Sequence, residues 1–192
     1  MLLRRRGFLS TLGAIGAAAA LPGCEDEPAE PPRTEEVTPP RPALRNLDAT
    51  HALALDAMLD ALLPRGEGRP GARDTGVLVY VDRQLGEPAF AGFQRLVRDG
   101  LQRLDAWARS DGATSFDTLT PEARVALLGR VQRGETPGRF PSARFFAIVH
   151  TFALEGHLGD PRHGGNQDRR GWQWLAIDPS CGTGMHHGCG GG

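Results

Sequence analysis

Residues 93–112 read FQRLVRDGLQRLDAWARSDG, and their pattern decides the fold. Phe93, Leu96, Val97, Leu101, Leu104 and Ala108 follow one another at intervals of three, one, four, three and four, which places them on one stripe of a helix that ends before Asp111-Gly112. A stripe of this length needs apolar partners, and the flanking sequence offers them as more helices. Upstream, Asp48 is placed to cap a helix carrying Ala52, Leu55, Leu59 and Leu62, which Pro64 stops. The glycine- and arginine-rich stretch from Arg65 to Arg73 reads as a surface loop. Asp74 then precedes Val77, Val81 and Leu85 at i, i+4 and i+8, with Gly86 placed as the stop. Val77 to Val81 is β-branched enough to permit a strand instead. Downstream, Thr120-Pro121 reads as a cap followed by proline at the first helical position, with Val125, Leu128 and Val131 continuing the apolar face. The last helix spans Pro141 to Glu155, carries Phe145, Phe146, Ile148, Val149 and Phe152, and meets Gly156 as its expected end. His150, one turn from Phe146, is expected to be a half-buried core residue. About five short helices with no convincing strand pair predict an all-α fold in a single small domain.

Directly after these helices comes Glu155 to Trp172, EGHLGDPRHGGNQDRRGW, a run too rich in turn chemistry and too aromatic at its end for an ordinary linker. Asp160-Pro161 sets one turn, and Gly164-Gly165-Asn166 tolerates positive φ. Asp168 is placed to cap backbone two residues on, and Gly171 lets Trp172 fold back onto the domain. The stretch therefore reads as one ordered loop. Glu155-Gly156, Asp160-Pro161, Gly164-Gly165-Asn166, Asp168, Gly171-Trp172 and the later Pro179 resemble the C-terminal signature of the gluconate 2-dehydrogenase subunit 3 family. That resemblance implies the small accessory subunit of a membrane-associated dehydrogenase complex. In such a complex a large flavoprotein subunit of the glucose-methanol-choline type holds FAD, and a cytochrome c subunit carries haem. It also implies that Glu155, Asp160, Pro161, Gly164, Gly165, Asn166, Asp168, Gly171 and Trp172 form or support the partner surface, with Trp172 and Trp174 as anchors. Trp172 can equally close the domain's own core.

At the other end, Arg4-Arg5-Arg6 is followed by Gly7-Phe8-Leu9-Ser10 and an apolar run from Thr11 to Leu21, the layout of an export signal too short to span a bilayer comfortably. Arg5-Arg6-x-Phe8-Leu9 resembles a twin-arginine signal, which is read by a translocase for folded cargo. Leu21-Pro22-Gly23-Cys24 looks like a lipobox with Cys24 as the lipid attachment point; otherwise Cys24 lies beside an ordinary cleavage site. Either way the mature chain is expected outside the cytoplasm, in the periplasm and held to a membrane by lipidated Cys24. Glu25 to about Arg45 is dense in proline and glutamate with almost no large apolar side chains, and so reads as an extended tether. The expected layout is a signal over 1–23, a linker over 24–46, the helical domain over 47–179 and a tail over 180–192.

The tail places Cys181, Met185, His186, His187 and Cys189 among glycines. Thiolate and imidazole suit a soft or borderline metal, but C-x7-C is no standard finger spacing, and two exported cysteines also suit a disulfide. A second functional reading, of a free-standing periplasmic metal-binding lipoprotein, rests on Cys181, His186, His187 and Cys189. The helical body carries no dinucleotide fingerprint, phosphate loop, haem-attachment motif or nucleophile elbow. Glu155, Asp160 and Asp168, with His157 and His163, are the residues from which an acid–base pair could be assembled, but their turn positions favour capping of backbone amides. The formal net charge is −1, and every basic residue among the 22 is arginine, interspersed with acids, so no nucleic-acid footprint is present.

Overall fold

The computed structural model describes residues 43–177. The export signal, Cys24, most of the Pro/Glu-rich stretch, Pro179 and the tail cysteines and histidines lie outside the described residues. Among the described residues the fold is all-α, as the periodicity predicts, with six helices where about five are expected.

Helix α1 (Ala49–Leu62) begins where Asp48 accepts the His51 N–H at 2.9 Å. Helix α2 (Val77–Gly86) is a helix and not a strand, because Val77, Val81 and Leu85 share one fully buried face. Its cap is Gly76 at φ +69°, and Asp74 instead closes the preceding turn by accepting the Gly71 N–H at 2.8 Å. Gly86 is the last helical residue, with Glu87 as the cap. A 3₁₀ turn (Pro88–Phe90) leads into α3 (Ala91–Ser110), the long striped helix. Helix α4 (Pro121–Arg133) starts on Thr120, whose hydroxyl accepts the Ala123 N–H at 3.3 Å, and ends on Gly134 at φ +75°. Within it Val125 is exposed, and Leu127 joins Leu128 and Val131 in the core, because the buried face lies further around the helix than the i, i+3 reading places it.

Helix α5 (Ser142–Leu158) runs through Gly156 and stops two residues later. Gly156 is there for packing: a Cβ would stand 2.8 Å from the Tyr80 ring on α2. Gly100 on α3 plays the same part against the buried Phe145 ring of α5, which an added Cβ would overlap. These two approaches let α5 lie along α2 and α3 while it also packs on α4. Phe145, Val149 and Phe152 enter the core from α5, whereas His150 is exposed and stacks on the half-buried Phe146 at 5.9 Å between ring centroids. The sixth helix, α6 (Arg170–Trp174), lies in the stretch read from sequence as a loop, after 3₁₀ turns at Pro161–His163 and Gln167–Arg169.

The chain enters the domain on a buried carboxylate. Asp82 of α2 accepts the N–H groups of Arg45, Asn46 and Leu47 at 2.8, 2.9 and 2.9 Å, and the Asn46 side chain donates to the Asp82 carbonyl at 2.7 Å. A carboxylate buried this deeply is stable because three donors replace its water.

Candidate functional site

A helix leaves its last carbonyls without partners, and at the end of α5 the residues of the signature stretch supply them. The Gly159 N–H donates to the Glu155 carbonyl at 2.7 Å and the Asn166 N–H to the Gly156 carbonyl at 2.6 Å. Trp172 Nε1 donates to the Leu158 carbonyl at 2.6 Å, and Asn166 Nδ2 to the Gly159 carbonyl at 3.0 Å. Asn166 Oδ1 in turn accepts the Gly171 N–H at 2.8 Å. Asn166 is therefore the hub of the turn, fully buried and held at φ +44°. Gly165 and Gly171 allow that closeness, since a Cβ on either would overlap a backbone carbonyl of α5.

The other signature residues build the same turn. Asp160 accepts the Arg162 N–H at 2.9 Å and holds the Arg162 guanidinium; the side-chain bond, then the backbone one, bring its carboxyl down to about 2. Pro161 opens the first 3₁₀ turn, and Gly164 closes it at φ +95°. Asp168 does not cap the backbone two residues on; it sits at φ +55° and pairs with Arg170 at 3.3 Å, because its carboxylate faces solvent at the start of α6. Glu155 accepts the Tyr80 hydroxyl at 3.0 Å, and burial followed by that bond pushes the phenol up to about 12. The acid–base grouping considered from sequence is not assembled, since Glu155, Asp160 and Asp168 each serve a different local partner. Among the described residues no three His, Cys, Asp or Glu side chains are grouped to hold a metal ion, and no helix is long and apolar enough to cross a membrane.

Trp172 and Trp174 have different surroundings. Trp172 is half-buried with its indole N–H on α5, so it closes the turn. Trp174 is 43 % exposed and shares a groove with Leu154 and Leu175, which are exposed to a similar degree. Two grooves meet at it. One, about 290 Å³, has walls from Leu62, Leu63, Pro70, Leu154, Leu158 and Leu175 with His157 among them. The other, about 510 Å³, holds Arg65, Arg69, Arg170, Asp74 and Gln173. Both share Arg69, Pro70 and Trp174. Sequence reading singles out Trp174 but not Leu63, Pro70, Leu154 or Leu175, which come from four separate segments and carry no common motif. Three consecutive-in-space residues without glycine's freedom, Asn166, Asp168 and Arg169, hold positive φ to bring α6 into this position.

Beneath Trp174, His157 is buried, with Nδ1 at 2.8 Å from the Thr75 hydroxyl and its ring 6.2 Å from the Trp174 ring. Burial, and secondarily the Arg69 guanidinium, holds the imidazole below its ordinary value, against an opposing pull from Asp74. The unfolded chain thus binds more protons than the folded one between the lowered value and about 6.5, so stability falls as pH drops through that window. The expected result is a lower Tm at pH 5.5 than at pH 7.5, with a smaller difference in His157→Phe. Equal pH slopes for the two proteins in thermal melts would show that His157 does not carry the effect.

Residues 49–179 match the model of the gluconate 2-dehydrogenase subunit 3 family. No curated protein and no solved structure matches the chain.

Proposed function

Because the chain belongs to the gluconate 2-dehydrogenase subunit 3 family, we infer that it is the small, non-catalytic subunit of an exported flavin-dependent dehydrogenase of the glucose-methanol-choline type. The observation that carries this reading is the family match over nearly the whole helical domain. Two features support it. Carboxylates of Asp48, Asp82 and Asp160 accept backbone N–H groups and His157 is packed, while three of the exposed large apolar side chains, Leu154, Trp174 and Leu175, line one groove, as expected of a surface that meets another protein. In this reading FAD resides in the large partner and haem c in a cytochrome subunit. The Arg5-Arg6 pair sends the folded chain out of the cytoplasm, together with a flavoprotein partner that lacks its own signal, and Cys24 holds the complex at a membrane through its lipid.

The test is co-purification from solubilised membranes, followed by identification of what accompanies the chain. A flavoprotein dehydrogenase is the expected companion, and Arg5→Lys with Arg6→Lys is expected to leave both proteins in the cytoplasm. If the chain purifies without a flavoprotein but with stoichiometric transition metal, lost when His186 and His187 are replaced, the metal-binding lipoprotein reading takes its place.

A further inference from the structure

We propose that the two grooves meeting at Trp174 form one docking site for an extended segment of the dehydrogenase partner, which sets an apolar side chain bearing a hydrogen-bond donor beside His157 and a carboxylate among Arg65, Arg69 and Arg170. The proposal rests on the accessory-subunit reading and names the surface through which that role is carried out.

Three observations define the occupant. First, the smaller groove is walled mostly by leucines and prolines, with Trp174 and Arg69 at its border with the larger one, and the His157 ring lies among them. The Thr75 hydroxyl lies 3.2 and 3.3 Å from the Gly71 and Ala72 carbonyls and has a single proton to give. With that proton on the carbonyls, His157 Nδ1 donates to Thr75 Oγ1 and Nε2 is a bare acceptor. Nε2 has no hydrogen-bond partner among the described residues, and the His157 ring lines the groove. An occupant that is apolar throughout would seal this nitrogen away from water without a donor, which is costly; one with a hydroxyl or N–H satisfies it.

Second, the larger groove has three arginines against the single carboxylate of Asp74. Asp74 already pairs with Arg65 at 2.9 Å and lies 4.0 Å from Arg170, and Asp168, from outside the groove wall, pairs with Arg170 at 3.3 Å, whereas the Arg69 guanidinium has no carboxylate partner among the described residues. Guanidinium forks in this arrangement fit a carboxylate on the incoming chain. Third, Trp174 lies on the border of both grooves, and a large aromatic there is the kind of side chain that anchors a protein interface. A segment laid across Trp174, which borders both grooves, would set its apolar side chain on one side of the indole and its acid on the other.

The experiment uses the full-length chain in the complex purified with its flavoprotein. A photo-reactive amino acid in place of Gln173, which lines the basic groove, is expected to cross-link to a partner peptide holding Asp or Glu within a few residues of a tryptophan or tyrosine. Arg69→Glu is expected to weaken partner binding by at least about tenfold, and Arg69→Lys by much less. Trp174→Ala is expected to weaken binding to a similar degree while leaving helical circular dichroism intact, since Trp174 is not part of the core. Deleting residues 180–192 is expected to leave binding unchanged. A cross-link to the chain's own C-terminal residues, or to a second copy of the chain, overturns the proposal. So does a complex that tolerates Arg69→Glu and Trp174→Ala without loss, even though its existence upholds the accessory role. A wild-type chain that never carries a flavoprotein overturns the role itself and the site with it.

Discussion

Gly165→Ala is expected to detach the C-terminal turn from α5 and lower stability by about 3 kcal/mol. The added methyl would overlap the backbone of Gly156, both its carbonyl oxygen and its Cα, and no side-chain rotation relieves a backbone contact. The Asn166 N–H, which reaches the Gly156 carbonyl at 2.6 Å, would be forced away, and with it the buried amide that joins Gly159 to Gly171. Because α1 to α5 share a core that this turn only caps, the loss is expected to be local at first. Hydrogen exchange should show loss of protection at Asn166 and Gly171 while amides of α3 and α5 keep theirs. Partner binding should fall too, since the turn positions Trp174. Wild-type stability and wild-type exchange in this variant would show that the crossing at Gly156 relaxes freely.

Gly100→Val is expected to act on the whole domain. Gly100 faces Phe145 where α3 crosses α5, and even a single methyl there would run into a ring that is completely buried. Phe145 also packs 6.0 Å from the Phe140 ring, which in turn meets Trp107 at 6.2 Å, so aromatic neighbours resist its rotation. The helices must separate, and overpacking of this kind costs about 3 kcal/mol. Urea denaturation should show the transition midpoint shifted to much lower denaturant for the entire helical signal, not for one segment. Valine also lowers helix propensity less than glycine does, so a stabilised variant would mean that the close approach is absent.

The two variants separate the parts of this molecule that its sequence makes legible from those it does not. The stripe from Phe93 to Ala108 could only be a helix, because apolar side chains at this spacing share a face in no other regular structure. Asp48 and Thr120 cap the helices they precede because short-range geometry alone decides that bond. Capping at Asp160 is local in the same way, and so is the all-α fold that follows from five such segments in a row.

Contacts between distant residues decided the rest. Gly156 has the look of a helix stop, yet α5 continues through it, because what that position needs is room for Tyr80, 76 residues before it, and not a left-handed backbone. Val125 keeps helical spacing but faces water, since the neighbouring helices determine which face of α4 is covered. Asp168 is placed by its sequence for capping and instead pairs with Arg170, because its exposed carboxylate meets that guanidinium only once the turn has folded. The tryptophans make the same point most sharply. From sequence Trp172 and Trp174 are both anchors, with closure of the domain's own core as the alternative for Trp172; folding gives Trp172 the Leu158 carbonyl and leaves Trp174 over a groove whose walls come from α1, the Arg65 to Pro70 loop and the end of α5. Periodicity and capping act over a few residues and can be read in order along the chain, whereas a groove exists only once segments with no sequence relation to one another have been packed side by side.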